Sequence, residues 1–154
     1  MIIWLTGQPA SGKTTLANEI IKKLKSSNKD IKIINLDGDD LRSINKNKDY
    51  SKAGRIKNIS TAISIVRFLC NKDYHCIISI VAPYKFLRDE LKSEFNFLEV
   101  YLFTNEIRGR EQYFAKDYEV PTDKKTMRLD TGKLTKEECL DEILNVYRKM
   151  ATLA

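Results

Sequence analysis

Residues Gly7 to Thr14 read Gly-Gln-Pro-Ala-Ser-Gly-Lys-Thr and satisfy G-x-x-x-x-G-K-[ST] at every fixed position. The segment follows a short β-branched apolar run, Ile2 to Thr6, and precedes a helical pattern from Lys13 to about Lys25 with Leu16, Ile20, Ile21 and Leu24 at helical spacing. A strand, a glycine loop and a helix in that order let the backbone wrap phosphates, with amide hydrogens and the helix amino terminus facing the negative charge. Gly7, Ala10, Ser11, Gly12, Lys13, Thr14 and Thr15 are therefore the expected ATP contacts. Lys13 should reach the β and γ phosphates, and Thr14 should offer its hydroxyl to Mg2+.

The rest of the chain repeats the alternation. Apolar runs at Ile31 to Leu36, His75 to Val81, Leu98 to Phe103 and Met127 to Leu129 predict four further strands. Helical patterns cover Lys52 to Asn71, Tyr84 to Glu94 and Thr104 to Phe114, and Thr135 with Glu138 makes a capping box for a final helix. Ala115 to Lys125 is polar and turn-rich. The expected fold is α/β, a five-stranded parallel sheet with helices on both faces, as one P-loop kinase domain over residues 1–154.

Phosphate loops also serve GTPases and motor ATPases, and the rest of the sequence narrows the choice. A guanine-reading Asn-Lys-x-Asp is missing after the fourth strand pattern, which runs into Phe103-Thr104-Asn105-Glu106, and 154 residues are few for a motor. A kinase of a small metabolite remains. The net charge of +6 is spread among 21 acidic residues without an aromatic-basic motif, so an anionic small molecule, rather than nucleic acid, is the expected partner. No apolar run has membrane-spanning length, and no leader pattern precedes Gly7, so no membrane partner and a cytoplasmic location are expected. Cys70, Cys76 and Cys139 lack paired metal spacing and read as structural, as do His75 and Trp4.

Leu36-Asp37-Gly38-Asp39-Asp40-Leu41-Arg42 reads as a second loop, at the sheet edge where open α/β folds bind ligands. A carboxylate there can accept a hydroxyl proton or hold a metal ion, and an arginine can clamp a phosphate or sulfate. With Gly7 to Thr15, this stretch resembles the adenylylsulfate kinase family and its Leu-Asp-Gly-Asp-x-[Val/Leu]-Arg. The resemblance continues through Tyr50-Ser51, Arg55-Ile56-Lys57-Asn58, Ser79-Ile80-Val81-Ala82-Pro83-Tyr84, Arg88, Asp117-Tyr118-Glu119-Val120-Pro121 and Leu129-Asp130-Thr131.

That resemblance implies transfer of the γ-phosphoryl group of ATP to the 3′-hydroxyl of a small nucleotide, with Mg2+. It assigns Lys13, Asp37 and Asp39 to catalysis, with Asp37 and Asp39 sharing the roles of base and metal partner, and Thr14 with Asp37 to the metal. Asp39, Arg42, Arg55 and Asn58 would hold the acceptor, Tyr50 would stack on its base, and Val81 and Ala82 would line its site. Dimers are frequent in the family, so a homodimer is a further expectation. Two departures stand out: Ala82 replaces a serine, and the family's Lys-x-Arg-x-Gly and Phe-Thr-Gly lid stretch is missing between Phe103 and Asp117. Arg108, on the ATP side, Arg110 and Lys116 remain to close over the phosphates, and Tyr113 or Phe114 to supply a second stacking face. A shortened lid suits a smaller base, so cytidine diphosphoramidate, a precursor of capsule phosphoramidate, stands beside adenylyl sulfate as acceptor. A sugar-type acceptor and an ATP-driven regulatory module are the competing readings.

Overall fold

The computed structural model describes residues 1–153. Five parallel strands, β1 (Ile2–Thr6), β2 (Ile33–Asp37), β3 (His75–Ser79), β4 (Phe97–Phe103) and β5 (Met127–Asp130), form one sheet in the order β2-β3-β1-β4-β5. Side chains alternate across β1. Ile3 and Leu5 join Leu16, Ile20, Ile143 and Leu144 on one face, and Ile2 and Trp4 join Ile59, Ile63, Val66 and Leu87 on the other. The first face is covered by α1 (Lys13–Ser27) and α5 (Lys136–Thr152), the second by α3 (Lys52–Cys70) and α4 (Lys85–Asp89). With both faces buried, β1 is apolar throughout apart from Thr6. No described helix is long and apolar enough to cross a membrane.

Caps set where the helices start. Thr135 and Glu138 form the expected capping box at α5, and the Ser51 hydroxyl accepts from Gly54 N to start α3. Three expectations need correction. The Asp37 to Arg42 stretch is not a loop: β2 runs to Asp37, whose carboxylate accepts from Asp39 N and so starts a short helix, α2 (Gly38–Ile44). The helix expected over Tyr84 to Glu94 is regular only to Asp89, beyond which i to i+3 bonds such as Lys92 N to Asp89 O tighten the chain into turns. Thr104 to Phe114 is not a helix either. Thr104 Oγ1 closes a local turn on Glu106 N, Gly109 takes φ of 78°, Ile107 is exposed, and only Glu111–Tyr113 makes a single 3₁₀ turn.

The residues read as structural lie in or beside the core. Trp4 is fully buried against the Phe97 ring, and His75 Nδ1 lies 2.7 Å from the Tyr147 hydroxyl at the start of β3. Cys76 and Cys139 are buried, and Cys70 packs beside Cys76 with both thiols free.

Candidate active site

A cleft of about 410 Å³ opens where the chain leaves β1, β2 and β3. The strand order places β1 beside β3, so the loop after β1 and the segments after β2 and β3 converge on one edge. Ala10, Gly12, Lys13, Thr14 and Thr15 line the cleft from β1, Asp37, Asp39 and Arg42 from β2, and Val81 and Ala82 from β3. Tyr50, Arg55 and Asn58 come from the start of α3, and Arg108 and Arg110 from the strap between β4 and β5. Gly7 and Ser11 lie behind this surface. A side chain at Gly7, where φ is 151°, would come within 2.2 Å of Leu102 O, so glycine there lets the loop pack on β4.

The Lys13 ammonium is buried and donates to Gly7 O (2.9 Å), Gln8 O (2.8 Å) and Ser11 Oγ (3.3 Å), so it braces the loop from within. Burial lowers its pKa to about 8 against the opposing pull of Asp37 and Asp39, with Arg110 adding to the decrease.

Asp37 is the most heavily used acid of the site. Thr14 Oγ1 donates to Asp37 Oδ2 at 2.6 Å, Asp39 N donates to Oδ1 at 2.9 Å, and Ser79 Oγ lies 3.1 Å from Oδ2. A hydroxyl and a carboxylate in contact form a hard oxygen pair, and no cluster of three or more acidic, histidine or cysteine ligands occurs among the described residues. That donor set fits Mg2+, which takes few protein ligands and completes its shell with water and phosphate oxygens. The Asp39 carboxylate is exposed to the cleft and makes no hydrogen bond among the described residues.

The acceptor side is built around Tyr50. The Arg42 guanidinium packs 4.0 Å from its ring centre and donates to Asp49 O at 2.8 Å, while Arg55 bonds Tyr50 O (2.9 Å) and Tyr113 O (3.3 Å). Asn58 is buried, donates to Gly38 O at 3.4 Å, and leaves Oδ1 without a partner among the described residues. The Tyr113 ring stands 6.3 Å from Tyr50 and carries the Arg110 guanidinium at 5.1 Å. Of the two aromatic alternatives Tyr113 lines the cleft and Phe114 does not, and Lys116 also falls outside it. Arg108 donates to Ala10 O (3.0 Å) and Thr131 O (2.9 Å), which ties the strap to the phosphate loop.

Two further contributors, Ser79 and Arg88, enter the sequence reading only as parts of the family resemblance, without a role. Ser79 orients Asp37 from the end of β3, a position the sequence marks as the polar end of an apolar strand and the start of a segment resembling the family. Arg88 is buried and donates to Ala82 O at 2.7 Å, holding Ala82 at φ of 45° in the cleft wall. In the sequence it is distinguished from the other charged residues of that stretch by the family resemblance alone.

The Adenylylsulphate kinase family profile matches residues 1–118. A probable adenylyl-sulfate kinase of Pyrococcus abyssi is 28% identical over 98% of this chain and 97% of its own length. The cytidine diphosphoramidate kinase of Campylobacter jejuni is 35% identical over 66% of this chain and 59% of its own length. The Mycobacterium tuberculosis APS kinase CysC, solved with AMPPNP and APS, superposes with a TM-score of 0.76 over 96% of both chains at 22% identity, a likeness of fold.

Proposed function

The chain belongs to the adenylylsulphate kinase family, ATP-dependent enzymes that phosphorylate a hydroxyl, and from that premise we propose that it phosphorylates the 3′-hydroxyl of a small nucleotide. The observation that carries the reading is the convergence of three things in one cleft: the Lys13 loop, the Thr14–Asp37 pair and the arginine-backed Tyr50. Phosphoryl transfer asks the protein mainly for positioning and charge neutralisation. The loop amides and Lys13 hold the ATP phosphates, and Arg108 and Arg110 close from the strap. Thr14 and Asp37 hold Mg2+, which supplies neutralisation of the phosphate charge. Since Asp37 is occupied by Thr14, Asp39 N and Ser79, the free Asp39 carboxylate takes the proton of the acceptor hydroxyl. Arg42, Arg55 and the unpaired Asn58 Oδ1 hold the acceptor, Tyr50 and Tyr113 contact its base, and Val81 and Ala82 form the wall behind it.

The short strap favours cytidine diphosphoramidate over adenylyl sulfate. Thr104 to Ala115 carries one 3₁₀ turn, and Tyr113 is the aromatic residue it contributes to the cleft. A pyrimidine needs less cover than a purine, and this acceptor assigns the enzyme to capsule phosphoramidate synthesis. The test is ADP release with ATP and Mg2+ beside each acceptor and with neither. Turnover with cytidine diphosphoramidate at higher kcat/KM than with adenylyl sulfate supports the assignment. The reverse ranking moves the enzyme to sulfate activation, and background release with both leaves a sugar-type acceptor or a regulatory role.

Two measurements probe individual roles. Tyr50→Ala should raise the acceptor KM about tenfold or more, as the loss of one base-aromatic stack predicts, and leave the ATP KM within twofold. An unchanged acceptor KM would remove Tyr50 from the site. The second concerns Lys13. Its charged form binds phosphates, and its pKa before binding is about 8, so AMP-PNP affinity should be level below pH 7 and fall about tenfold between pH 7 and pH 9. Lys13→Arg, which keeps its charge, should flatten that dependence, and a wild-type affinity unchanged at pH 9 would contradict it.

A further inference from the structure

The motif leaves position 8 free, and Gln8 does not line the cleft. Its side chain nevertheless makes a reciprocal pair of bonds with a residue 107 positions away: Gln8 Nε2 donates to Ala115 O, and Ala115 N donates to Gln8 Oε1, both at 2.9 Å. The reciprocity sets the amide orientation, since a flipped side chain would oppose donor to donor and acceptor to acceptor. Ala115 is itself buried and Gln8 half-buried, so both bonds are partly screened from water.

Arg108 on Ala10 O fastens the strap near its start, and Gln8 on Ala115 fastens its end, so both anchors lie on the phosphate loop. Gly109 to Phe114 run between them, with Tyr113 O also accepting from Arg55, and carry Arg110 and Tyr113 to the cleft. Beyond Ala115, Tyr118 N donates to Ala115 O, the Tyr118 hydroxyl lies 2.7 Å from Thr6 Oγ1, and Thr6 Oγ1 donates to Val81 O at 2.7 Å. The backbone of Gln8 meets the ATP side as well, because its carbonyl is one of the two that hold the Lys13 ammonium.

We propose that Gln8 is a positioning residue that pins the strap to the phosphate loop, so that filling the ATP site orders Arg110 and Tyr113 over the acceptor. The inference rests on the nucleotide-kinase reading and adds to it a route by which the two substrates feel each other. When Lys13 turns from the Gln8 carbonyl to phosphate, the loop settles in one arrangement, and the Gln8 amide passes that arrangement to Ala115. A coupling of this kind is reciprocal and amounts to about a tenfold change in affinity.

Gln8→Met keeps the length of the side chain and removes both bonds, and Gln8→Glu keeps the acceptor for Ala115 N and removes the donor. In Gln8→Met the acceptor KM at saturating ATP, measured with whichever of cytidine diphosphoramidate and adenylyl sulfate the native enzyme turns over, should rise about tenfold, with the affinity for AMP-PNP in the absence of acceptor within twofold of native. Gln8→Glu should fall between, and it decides the matter alone if the methionine variant does not fold. Amide hydrogen exchange supplies a readout independent of the acceptor. In the native protein AMP-PNP with Mg2+ should slow exchange across residues 105–115, and in Gln8→Met that slowing should vanish although AMP-PNP still binds. Native acceptor KM and native strap protection in the variants overturn the proposal. So does an acceptor KM that stays native while melting temperature and kcat fall, the mark of a purely structural side chain. A native protein that binds AMP-PNP but turns over neither acceptor removes the parent reading alone, and the exchange comparison still decides the role of Gln8.

Discussion

Asp37→Asn lowers kcat by about 10³-fold, close to 4 kcal/mol in the barrier, while AMP-PNP affinity stays within a few-fold of native. The asparagine keeps an oxygen to cap α2 through Asp39 N and loses the charge that faces Thr14 Oγ1. Loop amides and Lys13 are untouched, so nucleotide binding persists. Asp39→Asn should cost between about 10² and 10⁴ in kcat by removing the proton acceptor, without disturbing the bonds to Thr14 and Ser79. Rapid-quench turnover beside calorimetric binding separates these effects. An Asp37→Asn protein with kcat within tenfold of native would show that the Thr14–Asp37 pair is not part of the chemistry.

Arg88→Met is expected to be the most damaging single change to stability, about 3 kcal/mol or about 10 °C in Tm for a chain of this size. Arg88 is 1% exposed and donates to Ala82 O at 2.7 Å and Glu119 O at 2.6 Å, with Nε 3.9 Å from the buried Glu99. Methionine fills much of the volume but strands both carbonyls and leaves Glu99 with Lys92 and Thr126. Adding Glu99→Gln should recover part of the loss, because it removes the charge that the first change unbalances. The pair also bears on the site: with Ala82 released from φ of 45°, the acceptor KM should rise further than the ATP KM. Thermal melts of the single and double variants test this, and a loss under 1 kcal/mol in Arg88→Met would mean the carbonyls find other donors.

The sequence exposed most of the fold because the central strands β1 and β3 are isoleucine-rich apolar runs buried on both faces, and the β1 bounds, Ile2–Thr6, come out as expected. What it hid depends on contacts between distant segments. The failure at Thr104 to Phe114 has a local cause in the Thr104 turn and Gly109, and a distant one in Arg108 bonding to Ala10 and Thr131 instead of extending along a helix. Asp37 was legible as an acid at a strand end, while the short helix it caps was not, because that helix needs the backbone of Asp39 to turn back at that point. The cleft residues were legible through spacing and resemblance together. The roles of Ser79, Arg88 and Gln8 were not, since each acts through a partner at least 6 and as many as 107 positions away and no local pattern reports that contact.

The central claim is that the phosphoryl group goes to a ribose 3′-oxygen, and phosphorus and proton magnetic resonance of the product reads that atom directly. The protein is incubated with ATP, Mg2+ and cytidine diphosphoramidate, and in parallel with adenylyl sulfate. A new monoester phosphorus resonance coupled to the ribose H3′, with ADP formed in equal amount, is the predicted result. Coupling to H2′, or no monoester signal from either nucleotide while ATP is consumed with a sugar, would contradict it.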